Sequence, residues 1–137
     1  MDHTRSGRSM ETKTGIDPFF TKEGMAHTGD FYLDGQDPHQ KLLAPAALAD
    51  MTGFPPLLLQ VGTNELLLDD SVRLAERARH AEVDVILDVT AGVPHVFQSF
   101  KLACNAPRTQ YCLPMIKSLV VRTQATGRQA IVWAQVD

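Results

Sequence analysis

Two side chains that could transfer a proton stand thirty positions apart in the middle of this sequence. Glu65 follows an apolar run that Gly62 closes, and His95 lies in a Gly-Val-Pro-His loop after a second apolar segment. A carboxylate that hydrogen-bonds an imidazole fixes its tautomer and stabilises the imidazolium while the histidine transfers protons. Either residue alone is more often an ordinary loop residue. Together they have the residue types of two thirds of a catalytic triad, so their relative placement decides the interpretation.

Two strand-like segments precede these side chains. Residues 57–61 form a short continuous apolar run, which is typical of a central parallel strand buried on both faces. Residues 83–89 alternate so that one face is apolar and the other partly polar, which indicates a strand near an edge. In a right-handed strand-helix-strand unit both strands point the same way, so the residues that follow them meet at one edge of the sheet. We therefore predict that Glu65 and His95 lie within hydrogen-bonding reach.

A helix is predicted between the two strands. Small and apolar residues recur there at three-and-four spacing, and the alanines among them would let the helix lie close to a sheet. Asp69 and Asp70 fall in its first turn, where negative charge meets the positive end of the helix dipole, and Asp69 is placed to pair with Arg73. The predicted sheet-facing stripe comprises Leu67, Ser71, Leu74, Ala75, Ala78 and Ala81.

The segments 53–78 and 88–100 together carry a family resemblance. They resemble the acid motif, the helix after it and the histidine motif of the α/β-hydrolase fold, in the hormone-sensitive-lipase-like branch of bacterial esterases. Glu65 matches the position of the catalytic acid, and His95, within Gly-Val-Pro-His-Val-Phe, matches the catalytic histidine. Asp69 matches an acidic helix-start position and is the second candidate for the acid. The resemblance implies an α/β fold with parallel strands and flanking helices in three layers, of which this chain would hold the C-terminal portion with an incomplete sheet.

The nucleophile of such an enzyme has no counterpart in the sequence. Members of the fold hold the serine in a G-x-S-x-G elbow and the oxyanion donors in an HGGG-type loop, both earlier in the chain than the acid and the histidine. Neither motif occurs in the 137 residues. None of the serines has the flanking glycines of the elbow; they stand at positions 6, 9, 71, 99 and 118.

The resemblance implies a carboxylic-ester hydrolase that acts on small-molecule esters through a Ser-His-Glu/Asp triad. This chain would carry the acid and the histidine, and alone it is expected to be inactive. The alternative is a non-catalytic remnant or an interaction piece derived from such an enzyme. A strand-helix-strand ligand-binding module of another family is the third and least favoured alternative. No G-x-G-x-x-G follows a strand, so nothing indicates nucleotide binding. Association as a homodimer, or with a polypeptide that carries the missing N-terminal half, is left open.

Composition excludes several other classes of function. A formal net charge of −3 without a basic cluster gives no reason to expect nucleic acid or an anionic membrane as a partner. No apolar run approaches the roughly 18 residues needed to cross a bilayer, so a cytoplasmic location is expected. The five histidines are too scattered for a close-spaced zinc pattern, and Cys104 and Cys112 are expected to be reduced thiols. We predict no metal and no cofactor.

The rest of the chain gives weaker predictions. Residues 1–15 are polar and are expected to be frayed, and a helix is predicted at 22–34 between an N-cap at Thr21 and a stop at Gly35. The predicted organisation is a linker and helical segment at 1–54, the strand-helix-strand unit with a C-terminal helix (114–124) at 55–126, and an unexplained tail at 127–137. An apolar group in and just before the helix predicted at 22–34 is expected to belong to the core, and an acyl pocket is the alternative. The group comprises Phe19, Phe20, Met25, Phe31 and Tyr32.

Overall fold

The computed structural model describes residues 1–99, which form a parallel two-stranded sheet with helices around it. In chain order the elements are α1 (Ser9–Thr12), α2 (Lys22–Leu33), α3 (Pro45–Leu48), β1 (Leu57–Gly62), α4 (Leu68–His80), β2 (Val85–Thr90) and a 3-10 turn (Phe97–Ser99). The predicted helix at 114–124, the tail at 127–137 and both cysteines lie outside the described residues.

The predicted strand-helix-strand unit is present. β1 pairs in parallel with β2, with Leu57 opposite Val85 at one end and Gly62 opposite Thr90 at the other. The second strand begins two residues later than predicted. Val83 belongs to the turn that leaves α4, because its N–H bonds the carbonyl of Ala78 at 2.9 Å. Its side chain is nevertheless buried, which explains the strand-like pattern at that position.

The helix α4 packs on the sheet through its small residues. Ala75 and Ala78 are completely buried, so the helix backbone approaches the sheet closely. Ala78 joins a core cluster with Leu57 and Val83, and Met51 from the preceding loop completes it. The predicted stripe therefore does face the sheet, except at its N-terminal end. There Leu66 and Leu67 precede the helix and pack against Met10 and Met25.

Residues 1–15 are not frayed, and that prediction is wrong. Ser9, at the start of α1, is buried against the first turn of α4: its N–H donates to Asp69 Oδ2 at 3.2 Å. In return the Asp69 N–H donates to Ser9 Oγ at 3.1 Å, and Ser9 Oγ donates to the carbonyl of Leu66. This exchange satisfies polar groups that a helix N-terminus leaves unpaired. A polar segment can thus be an integral part of the fold when its partners are polar.

A buried acidic cluster also ties the start of the chain to α4. The Asp2 carboxylate accepts from Thr4 and Ser6 and pairs with Arg73 at 3.0 Å, so Arg73 pairs with Asp2 and not, as predicted, with Asp69. Burial acts to raise the pKa of Asp2, but these hydrogen bonds and Arg73 outweigh it and hold that pKa below its usual value. The Asp2 N–H donates to Asp70 Oδ2 at 2.6 Å. Burial raises the pKa of Asp70 to about 6 against the effect of that bond.

The helix α2 follows its prediction to within a residue. Thr21 is the N-cap, and its hydroxyl accepts from the N–H of Gly24 at 3.0 Å. Asp34 ends the helix in the left-handed conformation, and Gly35 follows with φ of 78°. The apolar group near this helix is only partly core, because Met25 is buried while Phe31 and Tyr32 are exposed.

Candidate active site

Glu65 and His95 meet at the edge of the sheet where both strands end. His95 Nδ1 lies 2.6 Å from Glu65 Oε2. Because the carboxylate accepts, Nδ1 carries the proton and Nε2 is the nitrogen through which the ring could take another. The predicted hydrogen bond is therefore present. The structure joins His95 to Glu65 and not to Asp69, whose carboxylate instead bonds Ser9.

Local backbone holds the Glu65 carboxylate in place. Its second oxygen, Oε1, accepts from the N–H of Gly62 at 2.5 Å. Glu65 is only 3% exposed, and a buried carboxylate needs a partner for each oxygen. Among residues 1–99, the two oxygens have one hydrogen-bond partner each, the backbone of β1 and the imidazole of His95. The acid is thus fixed to the strand from which its turn emerges.

The loop that carries His95 lies directly on the end of β1. The carbonyl of Val93 accepts from the N–H of Asn64 at 3.1 Å, and Gly92 donates to the hydroxyl of Thr63 at 2.8 Å. A Cβ placed on Gly62 would stand 2.1 Å from the Val93 oxygen, far inside any contact that side chains make. Glycine at position 62 therefore lets this loop approach, and the approach brings His95 to the acid.

Beyond the histidine, the chain is strained and then anchored. Val96 has φ of 48°, a left-handed conformation that a β-branched residue rarely adopts. The Phe97–Ser99 turn follows, with the Ser99 N–H on the carbonyl of Val96 at 2.9 Å, and Phe97 is almost fully buried. Such strain persists where the surroundings determine the conformation, and it is often found at functional sites. His95 is thus held between the loop on Gly62 and the buried Phe97.

One aromatic ring lies against the imidazole. The ring of Phe20 is centred 5.0 Å from the ring of His95, with the two planes tilted by 56°. Phe20, a member of the apolar group predicted near α2, therefore reaches the site. Sequence reasoning missed Asp17, although its carboxylate bonds the backbone next to Glu65. No local pattern relates positions 17 and 66, so only the fold could reveal that bond.

Two other kinds of feature, metal-binding clusters and membrane-spanning helices, are not found in residues 1–99. Within residues 1–99, no group of three or more His, Cys, Asp or Glu side chains is arranged to hold a metal ion. In the same part of the chain, no helix is long and apolar enough to span a bilayer.

Comparison with known proteins defines the family. Residues 1–99 match the family model described as the alpha/beta hydrolase fold, which is most of this chain. The chain therefore belongs to the α/β-hydrolase fold family, and the resemblance seen in the sequence is confirmed.

Individual relatives are named as an esterase and an acetyl-hydrolase. An esterase of Acinetobacter venetianus is 34% identical over 101 residues, which is 73% of this chain and 33% of that protein. An acetyl-hydrolase of Streptomyces hygroscopicus is also 34% identical, over 91 residues, which is 66% of this chain and 30% of that protein.

Solved structures give the same picture. An esterase from the bacterial hormone-sensitive lipase family is 42% identical, with a TM-score of 0.68 over 71% of this chain and 32% of that one. A hormone-sensitive lipase from a metagenome library is 37% identical, with a TM-score of 0.68 over 72% and 33%. The chain thus spans about a third of the length of the relatives it matches.

Proposed function

We propose that this chain supplies the acid and the histidine of a carboxylic-ester hydrolase. The observation that carries the proposal is the 2.6 Å contact between Glu65 Oε2 and His95 Nδ1, at the edge where parallel strands present their sites. Membership of a family whose members are named as esterases supports the reaction class. The proposed substrates are small-molecule esters with small or medium acyl chains.

In the proposed reaction, His95 first acts as a base and then as an acid. Nε2 takes the proton of a serine hydroxyl as its oxygen attacks the ester carbonyl, and the same proton then passes to the leaving alcohol. A water molecule then attacks the acyl-enzyme through the same two proton transfers, which releases the carboxylic acid product and restores the serine. Glu65 holds the tautomer with the proton on Nδ1 and stabilises the imidazolium formed in each half of the reaction.

The serine and the oxyanion donors belong, in this proposal, to polypeptide outside the 137 residues. The 137 residues contain no G-x-S-x-G and no HGGG motif. The elbow is needed because it holds serine on a strained turn next to the histidine and directs backbone N–H groups at the developing oxyanion. A non-catalytic remnant is the competing function, and the same missing motifs favour it.

A hybrid enzyme tests the proposal. In this hybrid esterase, the present chain replaces the matching third of the esterase that is 42% identical to it. We expect the hybrid to hydrolyse p-nitrophenyl acetate, and we expect His95→Ala to lower kcat/KM by about 10⁴-fold or more, with Glu65→Gln less severe. The matched control is His80→Ala, because His80 is an exposed histidine on α4.

The chain alone provides the second arm. It should not be labelled by a serine-directed fluorophosphonate, whereas the hybrid esterase should be labelled in a manner that depends on His95. A folded hybrid without hydrolysis would favour the remnant, and undiminished hydrolysis in the His95→Ala hybrid would refute the assignment. A stoichiometric adduct on the isolated chain would show that it has its own nucleophile. The cytoplasmic location and homodimer formation stay predictions.

A further inference from the structure

The Asp17 carboxylate lies at a junction between two loops beside the candidate site. Its Oδ2 accepts from the N–H of Leu66 at 2.8 Å, and Leu66 is the residue directly after Glu65. Its Oδ1 accepts from the N–H groups of Phe19 at 2.9 Å and Phe20 at 3.0 Å. Asp17 is only 8% exposed. One nearly buried carboxylate therefore connects the turn of the catalytic acid with the loop at 17–20.

Each side of this junction leads to one member of the proposed pair. The side at Leu66 fixes the backbone of the turn from which the Glu65 carboxylate projects. The side at Phe20 fixes the loop whose aromatic ring contacts the imidazole of His95 at 5.0 Å. Glu65 and His95 are also joined to each other, so Asp17, the acid turn, the imidazole and Phe20 form a closed ring of contacts.

We propose that Asp17 is a positioning residue for the Glu65–His95 pair, acting through the Leu66 N–H and through the Phe20 ring. This proposal rests on the proposed function for its catalytic meaning, although its geometry can be tested without hydrolysis. Through Leu66, Asp17 limits movement of the acid turn. Through Phe20, it keeps an apolar ring against the imidazole, which limits ring rotation and the entry of water at that face.

Substitution by asparagine separates the two sides of the junction. Asparagine has nearly the shape of aspartate but only one acceptor oxygen, and its NH₂ group cannot accept from a backbone N–H. Asp17→Asn must therefore leave either Leu66 or the Phe19–Phe20 backbone without its partner. Phe20→Leu removes the aromatic ring and leaves the carboxylate intact, so it tests the second side independently and remains informative if the asparagine variant fails to fold.

The test measures exchange of the His95 Nδ1 proton with water. In the full chain labelled with ¹⁵N-histidine, the imidazole N–H signal of His95 is identified by its loss in His95→Ala. We expect Asp17→Asn to accelerate its exchange by about tenfold, the effect of losing one ordinary hydrogen bond on a local opening equilibrium. Phe20→Leu loses the ring contact instead, and we expect it to accelerate the exchange by up to about tenfold, because an aromatic contact has a similar magnitude. Backbone amides of α4 and β1 should change far less, because a merely structural role would accelerate both sets equally.

Matched controls come from elsewhere in the described chain. Asp37→Asn alters a similar but exposed turn, in which the carboxylate accepts from the His39 N–H at 2.9 Å. Phe31→Leu removes an aromatic ring that is 82% exposed. Neither control should alter the exchange of the His95 proton.

Three results would overturn the proposal. They are unchanged exchange at His95 in both test variants, equal acceleration at His95 and in the α4 and β1 amides, and a parent chain with no protected His95 proton. None of these bears on whether His95→Ala abolishes hydrolysis in the hybrid esterase, so failure of this inference and failure of the proposed function can be told apart.

Discussion

Replacing Gly62 by alanine should displace the loop that carries His95. The new Cβ would lie 2.1 Å from the carbonyl oxygen of Val93, 2.9 Å from its carbonyl carbon and 3.0 Å from the carbonyl oxygen of Pro94. All three atoms are backbone, so no side chain can rotate away. Because heavy atoms essentially never approach a Cβ within 3.0 Å, the Val93 carbonyl must retreat by about 1 Å.

That retreat is large on the scale of the site. The Val93 carbonyl accepts from the Asn64 N–H at 3.1 Å, and lengthening by about 1 Å ends that bond. His95 lies two residues later, and its bond to Glu65 would lengthen beyond hydrogen-bond range if the displacement were transmitted in full. A misplacement of about 1 Å can cost roughly 10²-fold in rate, whereas overpacking costs about 1–3 kcal/mol in stability.

The assay compares kcat/KM for p-nitrophenyl acetate with stability to urea, both in the hybrid esterase. Gly53→Ala is the matched control. Gly53 has φ of 74° and open space around it, so alanine there adds backbone strain but no steric clash. We expect Gly62→Ala to lower kcat/KM by about 10²-fold and Gly53→Ala to leave it nearly unchanged. If the kcat/KM of Gly62→Ala is within about threefold of the parent value, the reasoning that the His95 loop requires glycine at position 62 is refuted.

Two further predictions concern stability. Because burial raises the pKa of Asp70 to about 6, its contribution to stability is complete below the unfolded pKa near 4 and is lost as the pH rises through 6. In urea titrations, Asp70→Asn should therefore be more stable than the parent at pH 7 by up to about 3 kcal/mol, and it should lose that advantage below pH 4. An advantage that does not depend on pH would contradict this prediction. Thr21→Ala should lower the free energy of unfolding by about 1 kcal/mol, because it removes the acceptor of the Gly24 N–H. Thr21→Ser keeps that acceptor and should not lower it. Equal losses in the two variants would exclude the helix cap as the cause.

Periodicity and topology predicted the centre of this structure. The strand and helix periods in 57–89 predict a parallel unit, and that unit places Glu65 and His95 at one edge. The helix at 22–34 was also predictable, because its cap and its stop are local signals. The strand and helix signals depend on residues a few positions apart, which is the range over which sequence patterns are informative, and the meeting of Glu65 and His95 then follows from the parallel topology.

The features that sequence did not predict depend on polar contacts between distant positions. Ser9 bonds the start of α4 roughly sixty positions away, and the Asp2 N–H bonds Asp70 68 positions away. Such residues look like ordinary surface residues in the sequence, because a polar side chain does not reveal whether its partner is water or another part of the protein. The prediction of a frayed segment at 1–15 failed for this reason.

Several contacts within the described residues hold the Glu65–His95 pair. The Gly62 N–H fixes one carboxylate oxygen, Asp17 fixes the turn, and Phe97 anchors the chain after the histidine. These contacts orient the pair within the described residues, and in the proposed enzyme a serine-bearing polypeptide would supply a hydroxyl at hydrogen-bond distance from Nε2, together with oxyanion donors. Orientation of the pair and its proton-transfer chemistry can then be perturbed separately. Gly62→Ala should weaken the orientation while every reacting group remains. His95→Ala should remove the proton transfer while the surrounding structure remains.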